Sequence, residues 1–206
     1  MAATIDTGQV TVPGTELDTL RDRLNTAGNK PGNIWFRHRD YYMKYFCPKL
    51  EWALLDFGAY VGANLLHYHE LGHIIDGVEV VDTYVQAYRD RVHGMDDPPV
   101  MHHCLIEEFA PVRQYEAVIC CEVLQYSPYP RTIFAKAAEC LRPDGALFTS
   151  VPARECPTDY RIVTPQNLID WYQSTGFVVD AVVFVPGSLN QPGCVSQVIA
   201  GGRLHA

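Results

Sequence analysis

No run of about 18 uninterrupted apolar residues occurs in the 206-residue chain, so a membrane-spanning helix is excluded. The opening MAATIDTGQVTVPGTELDTL lacks a basic segment leading into an apolar core. No secretory signal is therefore expected, and a cytoplasmic location is the expectation. Basic residues are scarce too: 16 Lys and Arg face 24 Asp and Glu, for a formal charge of −8. The densest basic stretch, Arg37-His38-Arg39, abuts Asp40 and reads as a solvated helix face. Tight binding to a phosphate backbone needs a basic face, so nucleic acid is disfavoured as a partner. None of the seven cysteines forms a C-x-x-C pair; reduced, buried thiols are expected rather than zinc sites or disulfides. Internal repeats and low-complexity linkers are absent as well.

What the chain does contain is a long alternation of strand and helix patterns. Residues 1–14 are polar, and Thr15 to Asp18 reads as a capped helix start running to about Asn25. Lys30-Pro31-Gly32-Asn33 breaks it, and the aromatic stretch Trp35–Phe46 reads as a second helix. Strands are then expected at Trp52–Phe57, Gly77–Val81, Val100–Leu105, Tyr115–Cys121 and Ala146–Val151. Helices are expected at Ala63–Leu71, Thr83–Val92, Arg131–Leu141 and Pro165–Thr175, the last capped by Thr164 and closed by Gly176. Two final strands, Phe177–Val185 and Cys194–Ala200, have no room for a crossover helix between them and should pair antiparallel. The pattern predicts an α/β fold: a doubly wound, mostly parallel sheet covered on both faces.

In such sheets ligands bind beyond the carboxyl ends of the strands. The first strand ends in Asp56, and the turn Gly58-Ala59-Tyr60-Val61-Gly62 leads into a helix whose N-terminal N–H groups face the same space. Glu79 follows Gly58 by about 20 residues, at the edge of the neighbouring strand, with Val80 beside it. A carboxylate there accepts hydrogen bonds from two ribose hydroxyls and repels a 2′-phosphate. A glycine pair at such a turn can equally serve helix–sheet packing, and Glu79 alone could be a solvated strand end. Their joint position points to a nucleoside ligand.

LLDFGAYVG, GVEVV, YEAVICCEVLQYSPYP, LRPDGALFTSVP and TPQNLIDWYQSTGF follow one another in the order and spacing of a known motif series. In these motifs the chain, over about residues 50–200, resembles class I S-adenosylmethionine-dependent methyltransferases of the small-molecule branch. That resemblance implies a seven-stranded, Rossmann-like sheet with an antiparallel last strand, and S-adenosylmethionine as cofactor. It implies that Asp56, Gly58, Ala59, Tyr60 and Gly62 lie along the methionine part of the cofactor and that Glu79 and Val80 hold the ribose side. Cys104 and Leu105 would flank adenine, Cys121 would also bind the cofactor, and Glu122 and Val123 would line the cleft between cofactor and acceptor.

Three residues depart from the pattern. Tyr60 stands where the D-x-G-x-G-x-G turn has its middle glycine, which requires a wider turn or an outward-pointing ring. Cys104 occupies the place of an adenine-binding aspartate, a role that backbone groups or Glu107 could take over. Tyr126 replaces a frequent histidine in Glu122-Val123-Leu124-Gln125-Tyr126, and one carboxylate, an amide and a phenol make a poor divalent site, so no metal is expected.

Methyl transfer to a hydroxyl or amine needs alignment, exclusion of water and a proton acceptor within reach. Glu122 and Tyr126 are the catalytic candidates, with Asp159-Tyr160 also near the cleft; His102 and His103 read as packed or surface residues. Residues 1–47 are expected as a polar tail and helical segment, and 48–206 as the cofactor-binding domain. Trp35–Phe46 is either a lid or a helix covering a sheet edge. The absence of a separate substrate domain suggests a small acceptor, free or presented on a carrier, methylated on oxygen or nitrogen. A dehydrogenase is disfavoured because GAYVG supplies no G-x-G-x-x-G. A DNA base methyltransferase would need an Asp/Asn-Pro-Pro-aromatic tetrapeptide after the fourth strand. The remaining alternative is a non-catalytic, S-adenosylmethionine-binding or degenerate scaffold.

Overall fold

Alternation along the strands decides which way each side chain faces. In β1 (Ala53–Phe57), Leu55 and Phe57 enter one apolar cluster while Leu54 enters another on the opposite face. The computed structural model describes residues 52–152, 163–185 and 197–205. The remaining strands are β2 (Ile74–Glu79), β3 (Val100–His103), β4 (Tyr115–Cys121), β5 (Leu141–Pro152), β6 (Phe177–Val185) and β7 (Gln197–Leu204). The helices are α1 (Ala63–Glu70), α2 (Asp82–Val92), α3 (Pro130–Cys140) and α4 (Pro165–Ser174).

The seven strands lie in the order β3-β2-β1-β4-β5-β7-β6. Pairings from β3 through β5 are parallel, and β7 runs antiparallel between β5 and β6. The short β6–β7 connection dictates that ending. Helices α3 and α4 pack Phe134, Ala137, Leu168, Trp171 and Tyr172 against one face, and α1 and α2 bring Leu65, Tyr68 and Tyr88 to the other. Strand order reverses between β1 and β4, so the crevice opens at their carboxyl ends.

Local signals fix the helix ends. Thr164 Oγ1 accepts from the Asn167 backbone N–H at 3.1 Å, and Asn167 Oδ1 accepts from the Thr164 N–H, a reciprocal cap with Pro165 in the first turn. Four strands differ from expectation by more than one residue: β3 stops at His103 and leaves Cys104 and Leu105 beyond it, β5 starts early, and β2 and β7 differ because of glycines. Gly77 does not open β2 but lies inside it, where an added Cβ would stand 2.8 Å from both Ala59 and Leu65. Gly201 and Gly202 do not end β7, which runs on to Leu204; a Cβ at Gly202 would meet the Val178 carbonyl at 2.6 Å. Both are packing glycines within strands. β5 likewise starts at Leu141, before the Asp144-Gly145 turn. The expected tail and helical segment over 1–47 lies outside the described residues. No described helix is long and apolar enough to cross a membrane.

Candidate functional site

The β1–α1 turn is the first wall of the crevice. Gly58 and Ala59 donate their N–H groups to the Val78 carbonyl at 2.9 and 3.0 Å, folding the turn back onto β2. Gly58 has φ 72° and Gly62 has φ 73°, the left-handed region that glycine enters without penalty. Both also lie against neighbours: a Cβ at Gly58 would overlap Val123, and one at Gly62 would overlap the Tyr88 ring. The glycines therefore serve packing as well as turn geometry. Through Gly58 and Val123 the turn touches the segment after β4, so the two sequence-expected parts of the site meet.

Tyr60 also has positive φ, 54°, which is strained for a side chain of its size. Its ring does not point outward. It packs on Tyr84 of α2 with centroids 4.1 Å apart. Tyr84, Tyr88 and Arg91 share one face of α2, spaced as i, i+4 and i+7. Tyr88 fills the space over Gly62, and Arg91 donates to the Val61 carbonyl at 3.3 Å. One helix face thus seats the whole turn.

Two buried carboxylates flank it. Asp56, 2 % exposed, accepts from Asn64 Nδ2 of α1 at 3.1 Å. Burial pushes its carboxyl up to about 7, against the Asn64 bond; the nearby Glu79 charge adds to the rise. Glu79, the last residue of β2, accepts from Tyr60 N–H on one oxygen and from Val80 and Val81 N–H on the other, all at 2.8 Å. Burial raises its pKa while these three bonds pull it down. A carboxylate has about four acceptor sites, so hydrogen-bonding capacity remains for a hydroxyl donor.

Beyond Glu79, Val80, Val81 and Leu105 form a small buried cluster with Tyr84 against it. Cys104, just past β3, donates its N–H to the Glu79 carbonyl at 3.2 Å. An apolar shelf beside an acceptor-rich strand edge suits a flat heterocycle joined to a polyol. Glu107 stands in a short 3-10 turn, Ile106–Glu108; its Oε1 is buried with no hydrogen-bond partner among the described residues, and burial raises its pKa.

At the end of β4 the backbone kinks. Cys121 ends the strand, and Glu122 follows at φ 59° with its N–H donated to the Ser150 carbonyl at 2.9 Å. Gln125 Nε2 donates to Glu122 Oε2 at 3.2 Å, and Tyr126 ends the 3-10 turn Leu124–Tyr126. The Tyr84 hydroxyl, pushed up to about 12 chiefly by burial, is raised further by Tyr60, Glu79 and Tyr126. The Tyr60 and Tyr84 phenols, from the β1–α1 turn and α2, meet here. His102 packs edge-on against Phe109, ring centroids 5.0 Å apart, and His103 lies 2.9 Å from Asp82. Asp159 and Tyr160 lie outside the described residues. Among the described residues no group of three His, Cys, Asp or Glu could hold a metal ion.

Two contributors are not evident from the sequence. Asn64 has a findable signal, a polar side chain at the start of the helix that follows Asp56. Tyr84 has one only in retrospect: the helical spacing Tyr84, Tyr88, Arg91 shows a face only when the covered turn is known.

The family model for a methyltransferase domain matches residues 15–182. No curated protein matches the sequence. Solved structures share the fold at low identity. One is a Burkholderia thailandensis 1,6-didemethyltoxoflavin-N1-methyltransferase with bound 1,6-didemethyltoxoflavin and S-adenosylhomocysteine; it is 16% identical with TM-score 0.77, covering 99% of each chain. Another is magnesium protoporphyrin IX methyltransferase from Synechocystis PCC 6803 with bound S-adenosylmethionine, 14% identical with TM-score 0.68, covering 95% of this chain and 99% of that one. A third is the [4+2]-cyclase SpnF, 17% identical with TM-score 0.71, covering 94% of this chain and 96% of that one.

Proposed function

Since the chain belongs to the methyltransferase-domain family, we propose that it binds S-adenosylmethionine in the β1–β4 crevice and methylates a small or carrier-presented acceptor on oxygen or nitrogen. The observation that carries this reading is the pair of buried carboxylates, Asp56 and Glu79, on either side of the β1–α1 turn. Burying two acidic groups this near each other is costly unless something offsets it. A cationic or hydroxyl-bearing ligand would do so.

The residues fit the cofactor. Asp56 would take the cationic amino-acid end, Glu79 a ribose hydroxyl, and Val80 and Leu105 the adenine. When bound, the cofactor supplies a methyl group on a sulfonium, open to in-line displacement by a nucleophile. Glu122, at the acceptor side, holds the acceptor's O–H or N–H by its carboxylate and takes the proton released on transfer. Gln125 fixes that carboxylate through its amide N–H. The Tyr60–Tyr84 ring pair would restrict water beside Glu79.

Calorimetry with S-adenosylmethionine tests the reading. Binding is expected, and none up to the low-millimolar range would overturn it. A second reading, a cofactor-binding scaffold without turnover, draws on the strained Tyr60 in the cofactor turn and on Cys104 in the adenine position. Folds host several chemistries, as the cyclase of similar fold illustrates. Formation of S-adenosylhomocysteine against fractionated extracts separates the two readings.

A further inference from the structure

We propose that the Tyr60–Tyr84 ring pair is a swinging cover beside Glu79 that parts when a nucleoside ligand enters. The inference rests on the cofactor reading above and adds Tyr84, on α2, as a residue that contacts the ligand. Four observations support it. Glu79 is only 7 % exposed, although it is the acid assigned above to the ribose. The Tyr60 backbone N–H donates to its Oε2 at 2.8 Å, which places the base of that ring at the carboxylate. The two rings meet at 4.1 Å between centroids, joining the β1–α1 turn to α2 beside the acid. Tyr84 also rests on the Val80, Val81 and Leu105 shelf, so a flat ligand on that shelf would compete with Tyr60 for the Tyr84 ring.

The remainder of the α2 face does not need to move. Tyr88 packs against Gly62 and Arg91 bonds the Val61 carbonyl, and neither interaction uses the Tyr84 side chain. The turn therefore stays seated while its outer joint opens. Tyr84 is half-buried, which leaves its ring one side toward solvent into which to rotate. In the closed form the rings hold each other; in the open form Tyr84 exchanges Tyr60 for the ligand's base. Separating the two rings slows entry, and stacking of Tyr84 on the base slows departure.

Stopped-flow binding of S-adenosylhomocysteine to the full chain tests this. Tyr84→Ala should raise the association rate constant about three- to tenfold, the worth of one aromatic pair, and raise the dissociation rate constant more. Tyr60→Gly should speed association by a similar factor without straining the turn, because glycine accepts its positive φ. Tyr84→Phe, which keeps the ring but loses the hydroxyl's hydrogen bond to Tyr60, should give an entry rate between those of the parent and Tyr84→Ala. Fluorotyrosine labelling of the otherwise unaltered protein gives a readout independent of variant folding: the resonances of both Tyr60 and Tyr84 should shift on addition of S-adenosylhomocysteine. Binding with both resonances unmoved, or with unchanged rate constants in both ring-removing variants, overturns the cover alone. Absence of binding by the unaltered protein overturns the cofactor reading and the cover with it.

Discussion

The two ends of the crevice are built differently. At the β1–β2 end the polar groups are tied down: Glu79 accepts three backbone N–H bonds, Asp56 is held by Asn64, and the turn is seated on Tyr88 and Arg91. At the β4 end Leu124 and Gln125 are buried, but the acid itself, Glu122, is only partly buried. The difference matches two tasks. A fixed ligand is best met by a preorganised site, whereas an acceptor of variable shape is met by side chains on an irregular turn. Charge follows the same division, since the acids at the first end are desolvated and Glu122 is not fully so.

The largest expected effect sharpens that division from the acceptor side. Glu122→Gln removes the proton-accepting carboxylate and should cut S-adenosylhomocysteine formation about a hundredfold, on the scale of a lost general base. Its cofactor Kd should stay within about twofold, because Asp56 and Glu79 are untouched. A parallel loss of cofactor affinity in calorimetry would erase the distinction between the two ends. From the other side, Glu79→Ala should weaken cofactor binding about tenfold or more, the worth of one or two charged hydrogen bonds. An unchanged Kd would remove Glu79 from the ribose site.

Legibility in the sequence divides along the same line. Strand alternation, the Thr164–Pro165 helix start and the short β6–β7 connection carry the fold, because each acts through neighbours in the chain. Asp56, Glu79 and Glu122 are readable since strand ends place them at the crevice from order alone. Glycines within strands are misleading: Gly77 and Gly202 look like strand boundaries but admit Leu65 of α1 and Tyr172 of α4 from the covering helices. The same long-range cause hides Tyr84 and decides the direction of the Tyr60 ring. A contact between residues 60 and 84 depends on how α2 is laid over β2, and no local spacing encodes that.

Asp56 offers a test in which stability and binding move in opposite directions. Its carboxyl has a folded value of about 7 against 3.8 unfolded. Below about pH 4 both states are protonated and the group contributes nothing. Between about 4 and 7 the unfolded chain releases the proton while the folded one retains it, so stability falls as pH rises through this window. Asp56→Asn removes that slope and should stabilise the free protein by about 1–3 kcal/mol at about pH 8 relative to the parent. The same variant should bind the cofactor more weakly. Urea unfolding at about pH 5 and about pH 8 reads the first effect. A variant no more stable at the higher pH would show that the buried carboxylate is not the cost it is taken to be.

The smallest effect separates the two reasons for a glycine. Gly62 and Gly72 precede and follow α1, with φ 73° and 86°. Alanine at either must adopt a left-handed backbone, at about 1 kcal/mol. At Gly72 a Cβ meets nothing within 4 Å, so that is the whole cost. At Gly62 the Cβ overlaps the Tyr88 ring, and Tyr88 is buried with its hydroxyl on the Pro99 carbonyl, which prevents easy retreat. Gly62→Ala should therefore destabilise by about 1–2 kcal/mol more than Gly72→Ala, an overpacking penalty read from denaturant midpoints. Because the displaced ring lies on the α2 face that seats the β1–α1 turn, Gly62→Ala should also weaken cofactor binding if the turn holds the cofactor as proposed, while Gly72→Ala leaves it alone. Equal stability losses would mean that the backbone conformation alone requires glycine at the turn, and that α2 does not clamp it.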